Sequence, residues 1–152
     1  MVAKYPKLLA TLPSKESGVR YRLEGYLFPA TYGYGKDSKM EDLVDQMLAA
    51  MDQNLSAYYD TMEAKNIDVN EALTLASLIE KEGATDKDRK DIASVFYNRL
   101  NQDMPPQSNI AILYAQGQLG KKTTLKEDAT IDTNIDSPYN IYKNTGLMPG
   151  PV

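Results

Sequence analysis

Two glutamates stand one residue apart in SLIEKEGATDKDR, residues 77–89, at the point where an apolar helical pattern gives out. Carboxylates at a helix end are commonly solubilising charge, but one beside an apolar face is also a candidate acid. Projecting residues 72–83 at about 100° per residue places Lys81, Ser77 and Thr74 on the solvent face. Glu80 and Glu82 then fall on opposite flanks of the apolar stripe, with Glu82 nearer its centre. Glu82 also occupies the last turn, directly before Gly83. There the negative end of the helix dipole opposes its ionised form by roughly 0.3–1 kcal/mol, and partial burial would act in the same sense. A carboxyl group that keeps its proton near neutral pH is suited to protonating a glycosidic oxygen. Taken alone, the spacing favours two glutamates that simply flank a buried helix and touch water, so it shortlists Glu82 without deciding.

The rest of the composition narrows the chemistry around that pair. There is no cysteine and no histidine among the 152 residues. Thiol nucleophiles, disulfides, the usual zinc sites and every histidine-assisted triad are thereby excluded. Catalysis would have to rest on carboxylates, lysine, tyrosine, hydroxyls and amides. A net charge of −4 offers no basic footprint for nucleic acid. No apolar run reaches the length of a membrane span, and the N-terminus lacks the form of a signal peptide. With 42% hydrophobic and 25% charged residues, the chain has the composition of one globular domain rather than of a disordered segment.

The elements that must position the glutamates are mostly helical. Residues 1–37 read as a strand and loop segment, with YRLEGYLFPATYGYG (21–35) as its extended part, broken at Pro29 and by glycines. Residues 38–152 read as the helical core. SKME predicts a helix start with Ser38 as N-cap and Glu41 at N3. Met40, Leu43, Val44, Met47, Leu48, Met51, Leu55, Tyr58 and Met62 then recur at helical spacing, as one long helix or two nearly collinear ones. DVNE (68–71) opens the helix carrying the glutamates, whose apolar face runs through Ala72, Leu73, Leu75, Ala76, Leu78 and Ile79. Gly83 is expected to end it as a C′ glycine. Thr85, Asp86 and Asp88 open a further helix, with Ile92, Ala93, Val95, Phe96 and Leu100 facing inward. DMPPQSN (103–109) is a loop, because Pro105 and Pro106 cannot continue a helix. Ser108 can cap a short helix ended by GQLG, and Thr124 to Glu127 forms one more capping box. Residues 131–152 are turn-rich. The predicted class is α+β, mainly helical.

Four blocks of the sequence carry a family resemblance: LEGYLFPATY (23–32), LTLASLIEKEGATDKDRKDIASVFYNRL (73–100), MPPQSNIAILYA (104–115) and DSPYNIYKNTGLMPGPV (136–152). In this order they resemble the MltG-type (YceG-like) endolytic murein transglycosylases, nearest to Gram-positive, streptococcus-like members. The resemblance implies a lysozyme-like catalytic helix acting on peptidoglycan glycan strands. It assigns the catalytic role to Glu82, the second glutamate of LIEKEG, and leaves Glu80 as a supporting or surface residue. It implies that Gln107, Ser108, Asn109, Tyr114, Tyr139, Asn140 and Tyr142 line the substrate cleft. Amides and hydroxyls suit sugar hydroxyls and acetamido groups, and aromatic faces suit sugar rings. Each also has a local alternative: Ser108 as a cap, Asn140 as a turn former, the tyrosines as packing.

By the same resemblance the reaction needs one carboxylate, no metal and no cofactor, and it leaves a 1,6-anhydro end. Many family members have Asp at the position of Asn109. Members also continue beyond the position of Val152 and carry an N-terminal membrane helix, so the expectation is a soluble catalytic fragment, truncated at its C-terminal end. Its parent would sit on the extracytoplasmic face of the cell membrane, with the cell-wall synthesis machinery as partner. The alternatives are a non-catalytic peptidoglycan-binding module and an aminodeoxychorismate lyase-like enzyme, a label the family has carried. The latter would need pyridoxal phosphate on a lysine in a phosphate-holding pocket, and no glycine-rich phosphate loop is visible.

Overall fold

The computed structural model describes residues 2–120 and 131–152. The capping box expected at Thr124–Glu127 lies outside the described residues. Five α-helices are present among them: α1 (Met40–Leu55), α2 (Tyr59–Ala64), α3 (Val69–Glu82), α4 (Asp86–Asn101) and α5 (Asn109–Ala115). The chain divides into two compact units, Met1–Leu73 and Thr74–Val152, with the boundary inside α3.

No strand forms among the described residues, which corrects the α+β expectation to a mainly helical chain. The tyrosine-rich N-terminal stretch closes on itself instead of pairing. Glu24 N–H donates to Tyr21 O at 3.2 Å and Tyr26 N–H to Leu23 O at 3.0 Å, forming local turns, and Phe28 N–H reaches Met47 O of α1 at 3.3 Å. Gly25, at φ 80°, supplies the left-handed step between the two turns. The turn drives Tyr26 into a core with Leu8, Leu9, Leu48, Met51 and Val69. Its hydroxyl remains satisfied there, donating to Asn70 Oδ1 at 3.1 Å.

Helix starts follow local chemistry, with one shift. Ser38 does not cap α1: its hydroxyl oxygen accepts from Gly35 N–H at 2.9 Å and closes the preceding turn. The N-cap is Lys39, whose N–H reaches Asp42 at 3.3 Å. At α3 the expected box is present, with Asp68 N–H on Glu71 at 3.0 Å and Glu71 N–H on Asp68 at 2.9 Å. At α4, Thr85 and Asp88 form the same reciprocal pair at 3.0 and 3.2 Å. The apolar periodicity across residues 40–62 spans a break, because Ser56 turns its hydroxyl back onto Gln53 O at 2.7 Å and α2 starts afresh at Tyr59.

Three of the helix ends are closed by left-handed residues in Schellman geometry. Asn66 after α2, Asp103 after α4 and Gly117 after α5 have φ of 53°, 53° and 68°. After α5, for example, Gly117 N–H meets Tyr114 O at 2.9 Å and Gln118 N–H meets Leu113 O at 2.8 Å. Gly83 is not among these residues, which corrects its assignment as a left-handed cap. Its N–H continues the helical pattern onto Ile79 O at 2.9 Å.

In the second unit, Leu75, Leu78, Phe96, Ala111, Tyr114, Tyr139, Ile141 and Met148 form the core. The turn-rich segment 131–152 is organised from within by Asn140, which is fully buried. Its side-chain amide donates to Thr133 O at 3.0 Å and Ile135 O at 2.7 Å, and its oxygen accepts from Tyr142 N–H at 3.1 Å. Two expectations about exposure fail. Thr74, assigned to the solvent face of α3, is fully buried, and Ser77 is half-buried, accepting from Val152 N–H at 3.1 Å. Ala76 and Val95, assigned inward, are exposed. The buried face of α3 therefore extends past the projected stripe to Thr74 and Ser77, and Val152 from the segment 131–152 reaches Ser77.

Candidate active site

Glu82 is the last residue of α3, and the chain passes through Gly83 and Thr85 directly into α4. Gly83 is buried in that corner. A Cβ there would lie 2.6 Å from Arg89 Cγ, 3.2 Å from Arg89 Cα and 3.1 Å from Ile79 O. The missing side chain is what lets the end of α3 and the first turns of α4 approach this closely. Glu82 itself is exposed, which corrects the expected partial burial.

The carboxylate is held from another element. Ser108 hydroxyl donates to Glu82 Oε1 at 2.7 Å. Ser108 is only 3% exposed and is also the N-cap of α5, its oxygen accepting from Ile110 N–H at 3.2 Å. The residue before it, Gln107, has φ 57°, an uncommon conformation for a side chain of that size. Its backbone N–H is tied to Ile141 O at 3.0 Å, which fixes the loop that delivers Ser108.

Two open depressions meet at Glu82, and Gln107 and Tyr142 also line both. One, of about 390 Å³, is lined by the apolar Ile92, Val95 and Phe96 together with Asp91 and Arg99. The other, of about 500 Å³, is more polar and includes Lys81, Ser108 and Asn109. Tyr142 hydroxyl donates to Asn109 Oδ1 at 2.6 Å, joining the 131–152 segment to the start of α5. Burial first, and then the negative charge of Glu82, push the Tyr142 phenol up from its ordinary value, against the opposing charge of Arg99.

The residues named from the sequence thus separate. Gln107, Ser108, Asn109 and Tyr142 gather around Glu82. Tyr114 and Tyr139 lie in the core, ring centroids 4.8 Å apart, and line neither depression. Asn140 acts one step back, through the backbone of Tyr142. Glu80 is exposed and lines neither depression. Sequence reasoning missed Asp91 and Arg99. Arg99 donates to Pro105 O at 3.0 Å, bracing the proline loop. Both residues share the α4 face of Ile92, Val95 and Phe96, at helical spacing, and that phase was the available signal. Among the described residues, no group of acidic side chains could hold a metal ion, and no helix is long and apolar enough to cross a membrane.

The comparisons with known proteins bear on the whole chain. An endolytic murein transglycosylase from Streptococcus pneumoniae serotype 2 (strain D39) is 70% identical over 151 residues, 99% of this chain and 27% of that protein. The endolytic murein transglycosylase of Bacillus subtilis (strain 168) is 44% identical over 135 residues, 88% of this chain and 36% of that protein. The chain therefore spans roughly a quarter to a third of the curated relatives it matches. The crystal structure of a yceG-like protein from Listeria monocytogenes matches with a TM-score of 0.84 at 43% identity, covering 99% of this chain and 47% of that one. The model of the YceG-like family matches residues 2–152, and with that coverage the chain belongs to the YceG-like family.

Proposed function

We propose that this chain is the glycan-cleaving part of an endolytic murein lytic transglycosylase, with Glu82 as its single acid–base residue. The observation that carries the reading is the place of Glu82: an exposed carboxyl, fixed by a buried hydroxyl, where two depressions meet. A glycan strand laid across that point would have one sugar on each side of the carboxyl. The relatives named endolytic murein transglycosylase supply the substrate class.

The chemistry follows from one carboxylate. Protonated Glu82 gives its proton to the oxygen bridging MurNAc to GlcNAc, and the C1–O bond of MurNAc breaks. The N-acetyl oxygen of the same sugar stabilises the cation at C1, so no second carboxylate is required. Glu82, now ionised, takes the proton of the C6 hydroxyl, whose oxygen bonds C1 and closes a 1,6-anhydro ring. No water is consumed, so the enzyme is a lyase. Gln107, Ser108, Asn109 and Tyr142 are the neighbouring polar groups, and the helix bearing Glu82 plays the part of a lysozyme-like catalytic helix. In the intact protein the reaction takes place outside the cytoplasmic membrane, beside the machinery that builds the wall.

Mass spectrometry of peptidoglycan digested by the intact protein tests this. Anhydro-muramyl ends are expected, and they disappear in Glu82→Gln but persist in Glu80→Gln. Reducing ends would make the enzyme a hydrolase, and an active Glu82→Gln would remove the residue assignment.

A further inference from the structure

The bond between Ser108 and Glu82 constrains the carboxyl more narrowly than proximity would. A serine hydroxyl has one proton. Ser108 oxygen accepts from Ile110 N–H at 3.2 Å, and its proton is directed at Glu82 Oε1 at 2.7 Å. In the ionised carboxylate Oε1 is thus the oxygen held by the protein, which leaves Oε2 as the one placed to take up and give back a proton. Among the described residues, Ser108 is the side chain bonded to that carboxylate.

The two partners differ in how firmly they are held. Glu82 ends a helix, is exposed, and has three rotatable side-chain bonds, whose ordering is costly for a residue of this length. Ser108 is 3% exposed and extended (φ −140°, ψ 131°), and it caps a helix in which Ala111, Ile112, Leu113 and Tyr114 are all buried. Gln107, immediately before it, is pinned to Ile141 O. The rigid element holds the mobile one. A buried hydroxyl whose proton and accepting face are both engaged inside the protein is poorly placed to contact a sugar. Ser108 lines the more polar depression alone, with its hydroxyl turned to Glu82, whereas Gln107 and Tyr142 border both.

We infer that Ser108 is a positioning residue: its buried hydroxyl holds Glu82 Oε1, so that Oε2 alone carries the transferred proton toward and away from the sugar. The inference rests on the reading of Glu82 as the acid–base residue. It adds that one oxygen performs both transfers, and that α5, through its own cap, sets where that oxygen lies.

The test is the division of the effect between kcat and KM in the intact protein, with anhydro-muramyl ends as the readout. Ser108→Gly removes the hydroxyl but keeps a residue tolerated at an N-cap, so the helix start is little weakened. Ser108→Ala removes it with a larger loss of cap, and thermal midpoints of both variants report folding. A misplaced catalytic group typically costs on the order of 10–100-fold, which is the expected fall in kcat for both variants, with KM within about twofold of the parent. A raised KM with unchanged kcat would overturn positioning in favour of substrate contact. Unchanged kcat and KM in a folded Ser108→Gly would also overturn it. Failure here is separable from failure of the function itself, because Glu82→Gln answers that independently: its activity is lost whether or not Ser108 matters.

Discussion

The Tyr142 hydroxyl sits where two demands meet, beside the Glu82 charge and within bonding distance of Asn109. Because its phenol is pushed up, Tyr142 is a neutral donor throughout the neutral range, and its proton is committed to Asn109. Tyr142→Phe should lose that bond while keeping the ring, at about 0.5–1.5 kcal/mol in urea unfolding, with KM for glycan little changed. Tyr142→Ala also removes the ring surface from both depressions and should raise KM several-fold. Equal KM values in the two variants would remove Tyr142 from sugar contact. At this scale the sequence was legible only in part. The family pattern pointed to Gln107, Ser108, Asn109 and Tyr142, which do gather around Glu82, but it pointed equally to Tyr114 and Tyr139. Those tyrosines share the same sequence blocks, and the phase of α5 and the Asn140-centred turn bury them instead. Whether a tyrosine faces a cleft or a core depends on which segment covers it, and that information is non-local. The bond from Ser108 to Glu82 was invisible for the same reason, since the partners are 26 residues apart.

At the scale of the element, the α3–α4 corner decides where the carboxyl points. Gly83→Ala would place a methyl group 3.2 Å from Arg89 Cα and 3.1 Å from Ile79 O. The Arg89 side chain can swing away, but those two backbone atoms cannot without moving a helix. Overpacking of this kind costs about 1–3 kcal/mol, measurable as a lower urea midpoint. Turnover should fall with it, because the displaced segment includes Glu82. Thr85→Ala separates the two consequences: losing the cap of α4 should cost about 1 kcal/mol while leaving the close approach at Gly83 intact. A Gly83→Ala protein as stable and active as the parent would mean that the corner relaxes freely. The starts of α3 and α4 were readable because a capping box is a bond between residues three apart. The start of α1 was misplaced by one residue because Ser38 had a competing local partner in Gly35. Gly83 was recognised as punctuation for the wrong reason: the sequence suggested a left-handed step, whereas the fold needs the absence of a side chain.

Over the whole molecule, the distribution of titrating groups sets the pH range of stability. The chain has eleven tyrosines and no histidine, so no imidazole titrates between pH 5 and 8. Tyr26 and Tyr59 both have phenols pushed well up, mainly by burial, with the Asp68 charge adding for Tyr26 and the hydrogen bond to Asp52 for Tyr59. Burial also raises Tyr5, with Asp45 contributing in the same direction. A raised folded-state value means that folding favours the protonated phenol. That contribution is fully present below the unfolded value of about 10 and is lost as pH rises through the folded value. Stability of the first unit should therefore fall progressively above about pH 10. Tyr26 is the residue to test, being fully buried beside Leu8 and Leu48 with its hydroxyl on Asn70. Tyr26→Phe removes one such proton, so its thermal midpoint should start lower at pH 7, through the lost bond, yet decline less steeply between pH 9 and 11. Parallel pH profiles for the parent and Tyr26→Phe would mean that the alkaline loss arises elsewhere. The tyrosine-rich segment that the sequence assigned to a strand would then have no part in it, and Tyr59, on α2, becomes the next candidate.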